Sequence, residues 1–331
     1  MNLQAIIESF KAPHYDLPNG SIIQGDSMKL IKLIPGNIVD CYNLDPPWFN
    51  SSMGEGADAI TENWALPDPR QMLFQVKRTL KKSGIVIYYG YQPYLSEHHK
   101  VFQQFGFKFM FETIWGKSAR PAMGDGRYPL KAHANVFVYR VDGTKLVDTH
   151  FDIKRVAKNP EGDEEHRLEG KFAGSHLKGN VQPVASRLKW DGQRELIYRT
   201  NIGYPLSLRD VGVVKESSSE YIGHACQIPV TLDQELIEMA CAPGDLVVDM
   251  FFGSGTTGVA CERSGRKYLG FEITEEWAKK GHDRILRDIQ ENSLEFKAQN
   301  PTLGDFESGE PERQEKPIYV REDDLIGYEQ E

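Results

Sequence analysis

The spacing of apolar residues along the chain switches repeatedly between strand-like runs and helical repeats, which predicts an α/β fold. Ile38-Val39-Asp40-Cys41-Tyr42-Asn43-Leu44 is a short apolar run that stops at Asp45-Pro46-Pro47-Trp48, as a buried strand stops at a chain breaker. Asp68-Pro69 reads as an N-cap with proline at the first helical position. Met72, Leu73, Val76 and Leu80 then recur at helical spacing, and Gly84 reads as the stop. Residues 84–89 read as the next strand, 93–106 as a helix and 135–139 as a strand.

Between 141 and 222 the chain is polar and loop-rich, with few regular periods. The pattern then returns. Thr231 followed three residues later by Gln234 matches a capping box ahead of Leu236, Ile237, Met239 and Ala240. Pro243-Gly244 reads as a turn, 246–251 as a buried strand, 256–264 as a helix, 267–272 as a strand and 274–291 as a long closing helix. Beyond Ser293 the chain is acidic and carries Pro301, Pro311 and Pro317, the composition of a surface tail.

These elements predict a doubly wound, mostly parallel sheet assembled from the two ends of the chain, with a smaller module inserted between them. The expected divisions are 1–140, 141–222, 223–293 and an acidic tail over 294–331. A chain of 331 residues is long enough for this. No apolar run reaches the length of a membrane span. The first sixteen residues lack a basic start, a long apolar core and a small-residue cleavage site, so no secretory signal is read and the chain is expected to be cytoplasmic. Cys41, Cys226, Cys241 and Cys261 form no CxxC pair, the pattern of free buried thiols rather than of a metal site or a disulfide framework.

The net charge of -9 argues against a polyanion partner, but its distribution changes that reading. Residues 110–215 hold 18 Lys and Arg against 13 Asp and Glu, whereas 304–331 hold 10 acids against 3 bases. A basic middle is compatible with nucleic-acid binding, although a charge run is more often a solvated face.

Two motifs carry chemistry. Phe252-Gly253-Ser254-Gly255-Thr256-Thr257 lies between a predicted strand and a predicted helix, where glycines permit a tight turn and close approach of a ligand. Glu272, seventeen residues after Gly255, ends the next strand, where an acid can accept from both hydroxyls of a ribose. With Gly258 the loop also satisfies GxGxxG, so a nicotinamide oxidoreductase has to be weighed. Against it, no substrate domain follows the loop. The second motif is Asp45-Pro46-Pro47-Trp48. Two prolines make a rigid, extended strand exit, so the Asp45 carboxylate and the Pro46 carbonyl can face one pocket beside the flat ring of Trp48. Two acceptors suit the two N–H groups of an aromatic amine, and an aromatic face can replace the stacking a base loses when it leaves a duplex. Standing alone, the motif has a surface turn as its alternative reading.

The two motifs, in this order, resemble those of the β-class S-adenosylmethionine-dependent DNA amino-methyltransferases. The resemblance covers about 1–140 and 200–290. It implies a Rossmann-like methyltransferase fold with permuted motif order, S-adenosylmethionine as methyl donor and no metal. Duplex DNA with a flipped target base is the implied partner. Asp45, Pro46, Pro47 and Trp48 match the family's catalytic motif, with Asp45 also placed toward the cofactor. Asp249, Phe251, Gly253, Ser254, Gly255, Thr256 and Thr257 match its cofactor motif, with Glu272 beyond it. Gly25-Asp26 looks like the pair that reaches the adenine side of the cofactor, and His224 opens the segment leading into the cofactor half; a lone histidine also reads as a packed or surface residue. Trp115 to Ser118 and His133 to Asn135 are weaker matches leading into target recognition. Ile228 stands where the family commonly has lysine, Met250 where it often has proline, and Trp48 where tyrosine is commoner.

By family habit an acid at position 45 points to adenine N6, with cytosine N4 as the alternative. A non-catalytic DNA-binding protein and a structured-RNA substrate are further readings. Lys117, Arg120, Arg127 and Lys131 are candidates for phosphate contacts. The family also implies a homodimer, and either a solitary enzyme or one paired with a restriction nuclease.

Overall fold

Strands drawn from opposite ends of the chain lie side by side in the computed structural model, which describes residues 3–47, 67–116, 133–156, 183–190, 193–198, 208–210, 214, 218–224 and 227–299. The N-terminal part supplies α1 (Leu3–Ser9), β1 (His14–Asp16), β2 (Gly20–Gln24), α2 (Ser27–Leu30), β3 (Val39–Leu44), α3 (Pro69–Thr79), β4 (Leu80–Gly90), α4 (Tyr94–Gln104), β5 (Phe107–Gly116) and β6 (His133–Val141). The middle supplies β7 (Pro183–Trp190), β8 (Gln193–Tyr198) and β9 (Leu208–Asp210). The C-terminal part supplies α5 (Val230–Ala240), β10 (Leu246–Asp249), α6 (Thr256–Ser264), β11 (Lys267–Glu272) and α7 (Glu275–Gln299).

Among the described residues, nine strands form one sheet in the order β1-β2-β11-β10-β3-β4-β6-β5-β9. Its centre, β2-β11-β10-β3-β4, is parallel, and β6 enters antiparallel beside β4. Strands β7 and β8 form a separate antiparallel pair. The chain divides into compact units at 1–289 and 290–331. No helix among the described residues is long and apolar enough to cross a membrane.

The central strands are apolar on both faces because helices cover both. In β4, Val86 and Tyr88 face one core together with Leu73, Val76 and Phe102 of α3 and α4. Ile85, Ile87 and Tyr89 face the other, with Leu236 and Ile237 of α5, Val259 of α6 and Ile285 of α7. The helix after β3 therefore packs on one face and the helix after β10 on the other, although the two strands are parallel neighbours. Adjacent strands whose chains leave to opposite faces open a crevice at their C-terminal ends, where open α/β sheets take ligands.

At the opposite end of the same two strands, Asp40 Oδ1 accepts from Lys81 Nζ at 2.7 Å, and Asp40 Oδ2 accepts from Leu246 N at 3.0 Å. His150 lies 2.8 Å from Asp245 Oδ2 and 3.5 Å from Asp40 Oδ1. Asp40, His150 and Asp245 are close enough together to hold a cation. Lys81 and the backbone bonds already serve Asp40, so the cluster works as a brace between β3, β10 and the segment leaving β6.

Several expectations need correction. Gly84 does not stop α3; the helix ends at Thr79 and Gly84 lies inside β4. Its small size serves packing, since a Cβ there would meet Leu80 Cδ1 at 2.5 Å and Asp40 O at 3.0 Å. The capping box at Thr231 is not formed. Helix α5 begins at Val230 behind Pro229 with no side-chain cap from its own N-cap residue, because Glu220 Oε1 accepts from Val230 N at 2.6 Å. A tertiary carboxylate thus replaces the local cap. Strand β10 ends at Asp249, short of 251, and α7 continues to Gln299, past 291. Strand β5, absent from the periodic pattern, pairs along its length with β6; its mixed exposure hides any alternation. The middle segment also contains strand structure that its polar composition did not suggest. Cys41, Cys241 and Cys261 are buried free thiols as expected, and Cys226 lies outside the described residues.

Candidate active site

The crevice is built from strand register. Val248 of β10 is level with Tyr42 of β3; three residues further on, the chains leave the sheet as Phe251 and Asp45. Leu44 is level with Tyr88 of β4. Asp45 is half-buried, Pro46 is buried, and both follow the last residue of β3. The negative charge of Asp45 bears on Asp249, Tyr88 and Tyr89 and helps raise the pKa of each. The acid of the proline motif and the residues leading into the glycine turn therefore stand at the ends of neighbouring parallel strands. Trp48 lies outside the described residues.

The glycine turn is shaped by its own backbone and by α7. Gly253 and Gly255 have φ of 49° and 79°, a left-handed conformation that glycine adopts without steric cost. Gly255 is the N-cap of α6. A Cβ on Gly255 would lie 3.1 Å from Gly281 Cα, so the turn touches α7 backbone to backbone. A Cβ on Gly258 would meet Ile285 at 2.4 Å and Phe252 at 2.8 Å, so the third glycine serves helix packing. Asp249 Oδ1 accepts from Phe251 N at 2.8 Å, and Thr257 Oγ1 donates to Asp249 Oδ2 at 2.6 Å. Burial pushes the Asp249 carboxyl up to about 8, against those two hydrogen bonds.

Glu272 ends β11 and is buried. Its Oε2 accepts from Gly253 N at 2.9 Å, and its Oε1 accepts from Thr274 N and Thr274 Oγ1, both at 2.9 Å. Burial raises this carboxyl also. Each carboxylate oxygen has two lone pairs, so Thr274 fills Oε1, and the backbone N–H of Ile273 also bonds this carboxylate. The expectation that Glu272 takes two ribose hydroxyls thus needs Thr274 to give way, or one hydroxyl to go elsewhere. Asp26 stands on the neighbouring strand end, since Gln24 of β2 is level with Glu272 and Gly25 N donates to Glu272 O at 2.8 Å. Asp26 caps α2, its Oδ1 accepting from Met28 N at 2.9 Å.

His224 packs edge-on against Trp277 of α7, with ring centroids 4.6 Å apart, and its Nε2 lies 3.2 Å from where a Gly253 Cβ would stand. Burial, with Arg284 and Lys280 nearby, lowers its pKa to about 4. A folded pKa below the unfolded value of about 6.5 means that the unfolded chain takes the proton first. Stability is therefore full above about pH 6.5 and declines as the pH falls toward 4, by roughly 2 kcal/mol. Melting temperature measured from pH 7 to pH 4 should show this fall, and His224→Gln should remove part of it; an identical profile in the variant would refute the assignment.

Four further residues were not read from the sequence. Arg284 of α7 is buried and donates to Ser254 O at 2.9 Å, Ser254 Oγ at 3.3 Å and Thr256 Oγ1 at 3.0 Å. It also pairs with Glu220 at 3.3 Å, so one guanidinium holds the glycine turn to the segment that caps α5. Thr256 Oγ1 in turn donates to Ile228 O at 3.1 Å. Asn43, Tyr89 and Asp233 meet beneath the turn. A buried arginine in a helix and a lone aspartate between leucines give no local motif to detect.

The model of the N6/N4 family, described as DNA methylase, matches residues 39–282. The chain belongs to this family. The methylase is 27% identical over 273 residues to the DNA adenine methyltransferase YhdJ of Escherichia coli (strain K12), covering 80% of this chain and 82% of that protein. Its fold is that of the PvuII DNA methyltransferase (cytosine-N4-specific), with a TM-score of 0.56, 18% identity and coverage of 88% of this chain and 97% of that one. It also matches the M1.HpyAVI–SAM complex, at a TM-score of 0.50, 18% identity and coverage of 80% and 98%. The expected methyltransferase fold and family are thereby established; the M1.HpyAVI structure is, by its description, a complex with SAM.

Proposed function

We propose that this DNA methylase transfers a methyl group to N6 of an adenine turned out of duplex DNA. The observation that carries the reading is the placement of Asp45 beside the Asp249–Gly255 turn, on parallel neighbouring strands. The positive-φ glycines, with no Cβ between turn and crevice, and the Glu272 carboxylate at the end of β11 fit a nucleoside methyl donor. In this reading Asp26, Phe251, Ser254, Thr256, Glu272 and His224 line the cofactor's side, with Asp249 and Thr257 supporting the turn. When bound, S-adenosylmethionine supplies an electrophilic methyl group on a sulfonium.

Asp45 and the Pro46 carbonyl accept the two amine N–H groups, which favours a lone pair localised on nitrogen. Pro47 keeps that strand exit extended, and Trp48 stacks on the base. The Asp45 carboxylate then receives a proton from the methylated amine. Adenine rests on the acid at position 45, by family habit, and on the likeness to a relative named an adenine methyltransferase. The segment 141–222 is proposed as the target-recognition region, and the protein as cytoplasmic. A homodimer or a nuclease partner is a matter for measurement of the protein in solution.

Methylated-nucleoside analysis of DNA treated with the protein tests the reading. N6-methyladenine is the expected product. N4-methylcytosine would replace adenine by cytosine within the same mechanism. Absence of both, with NAD bound in a calorimetric titration, would overturn it.

A further inference from the structure

Thr257, in the first turn of α6, has more polar neighbours than its single proton can serve. Its Oγ1 accepts from Asn43 Nδ2 at 2.9 Å, and it lies 2.6 Å from Asp249 Oδ2 and 3.3 Å from Asp233 Oδ2. Asn43 Nδ2 also donates to Asp233 Oδ1 at 2.8 Å, and Tyr89 OH donates to the same oxygen at 2.7 Å. A hydroxyl donates once. The proton of Thr257 goes to one carboxylate, the Asp249 contact at 2.6 Å being the stronger, so a hydrogen bond across the 3.3 Å contact with Asp233 would take a carboxylic O–H.

We propose that Asp233 and Asp249 share one proton across Thr257, which makes Asp233 a positioning residue that ties the catalytic strand end to the cofactor turn. The proposal rests on the methylase reading of the crevice. The bond chain can run in either direction, through a short link to Asp249 and a longer one to Asp233, so the proton belongs to the pair. Asp233 is wholly buried on α5, between Leu232 and Leu236. The groups facing the pair are Tyr89 from β4, Asp45 and Cys41 from β3, Cys261 from α6 and Arg284 from α7. Arg284 is the one cation among these. Arg284 already pairs with Glu220, so two ionised carboxylates would stand buried together with no cation of their own, which is costly; a shared proton removes one of the two charges. Burial raises both carboxyls, in agreement. The pair grips Asn43, two residues before Asp45, and Thr257, two residues after Gly255, so its geometry sets how the two halves of the crevice face each other.

Infrared spectroscopy of the full chain, combined with S-adenosylmethionine titrations across pH, tests this on wild type, Asp233→Asn and Asp233→Leu. Wild type should show the carbonyl band of a buried neutral carboxylic acid at pH 7. The band should vanish at alkaline pH together with about tenfold weaker cofactor binding. In Asp233→Asn the amide nitrogen replaces the acid O–H toward Thr257, while its oxygen still accepts from Tyr89 and Asn43. That variant should bind within about threefold of wild type at pH 7 and lack both the band and the alkaline weakening. Asp233→Leu loses these bonds and should bind about tenfold more weakly at every pH. No acid band in wild type, an alkaline weakening that persists in Asp233→Asn, or Asp233→Asn as impaired as Asp233→Leu would each overturn the proposal. Should Asp233→Leu fail to fold, the band and Asp233→Asn still decide. A wild type that binds no cofactor would instead sink the methylase reading, and the band would still report the proton.

Discussion

Asp45→Ala should lose methyl transfer by about 10²–10⁴-fold, the range for removing a group that takes a proton in the reaction, while the protein stays folded and binds S-adenosylmethionine. The expectation rests on where the charge stands. Asp45 is half-buried at the mouth of the crevice, and its charge works against the ionisation of Asp249, Tyr88 and Tyr89. Removing it relieves those groups, so no ionisation of a buried neighbour depends on it. The glycine turn is held by Glu272, Thr257 and Arg284 rather than by Asp45, so the cofactor's side of the crevice should survive. Asp45→Asn keeps an acceptor oxygen without the charge and should fall between Ala and wild type. Single-turnover transfer of labelled methyl, beside a calorimetric cofactor titration, separates the two effects. An Asp45→Ala variant with wild-type turnover would end the proposed mechanism.

Gly255→Ala should weaken cofactor binding by more than about tenfold, and Gly255→Val by more than about a hundredfold, with some loss of stability. Two costs add. A side chain in the left-handed region costs about 1–2 kcal/mol, and Gly255 has a φ of 79°. Crowding costs about 1–3 kcal/mol more, since the new Cβ would stand 3.1 Å from Gly281 Cα and 3.2 Å from Gly281 O. Both neighbouring atoms are backbone and cannot swing aside, so the turn must shift at the N-terminus of α6. Gly143→Ala is the control. Its φ of 78° carries the same backbone cost, but nothing lies within 4 Å of its Cβ and it is outside the crevice. If the two alanine variants bind the cofactor alike, crowding of the turn is not what matters.

The elements that the sequence disclosed are those whose signals are local. Asp68-Pro69 starts α3 with the Asp68 side chain accepting from Arg70 N at 2.9 Å. Helix α6 and strand β11 fall at 256–264 and 267–272 as their apolar spacing predicts. A buried parallel strand ending at a fixed-φ proline pair and a glycine turn between strand and helix can be recognised one segment at a time. So can the order of the two motifs, and with it the family. Where the signal was not local, reading by period failed: at Thr231, whose helix takes its cap from Glu220, and at Gly84, whose small size answers to Leu80 and Asp40 O.

By itself, the sequence determined the chemistry on offer: a carboxylate before two prolines, a glycine turn, an acid one strand further on, and the alternation of elements that makes an α/β sheet. Only the tertiary structure decided that β3 and β10, some two hundred residues apart in the chain, are parallel neighbours whose ends form one crevice. It also decided that Arg284 clamps the turn and that Asp233 meets Asp249 across a threonine hydroxyl. Strand exits and turns follow from backbone stereochemistry within a few residues. Strand order, and the partners of a buried charge, depend instead on which surfaces pack against each other when the chain closes.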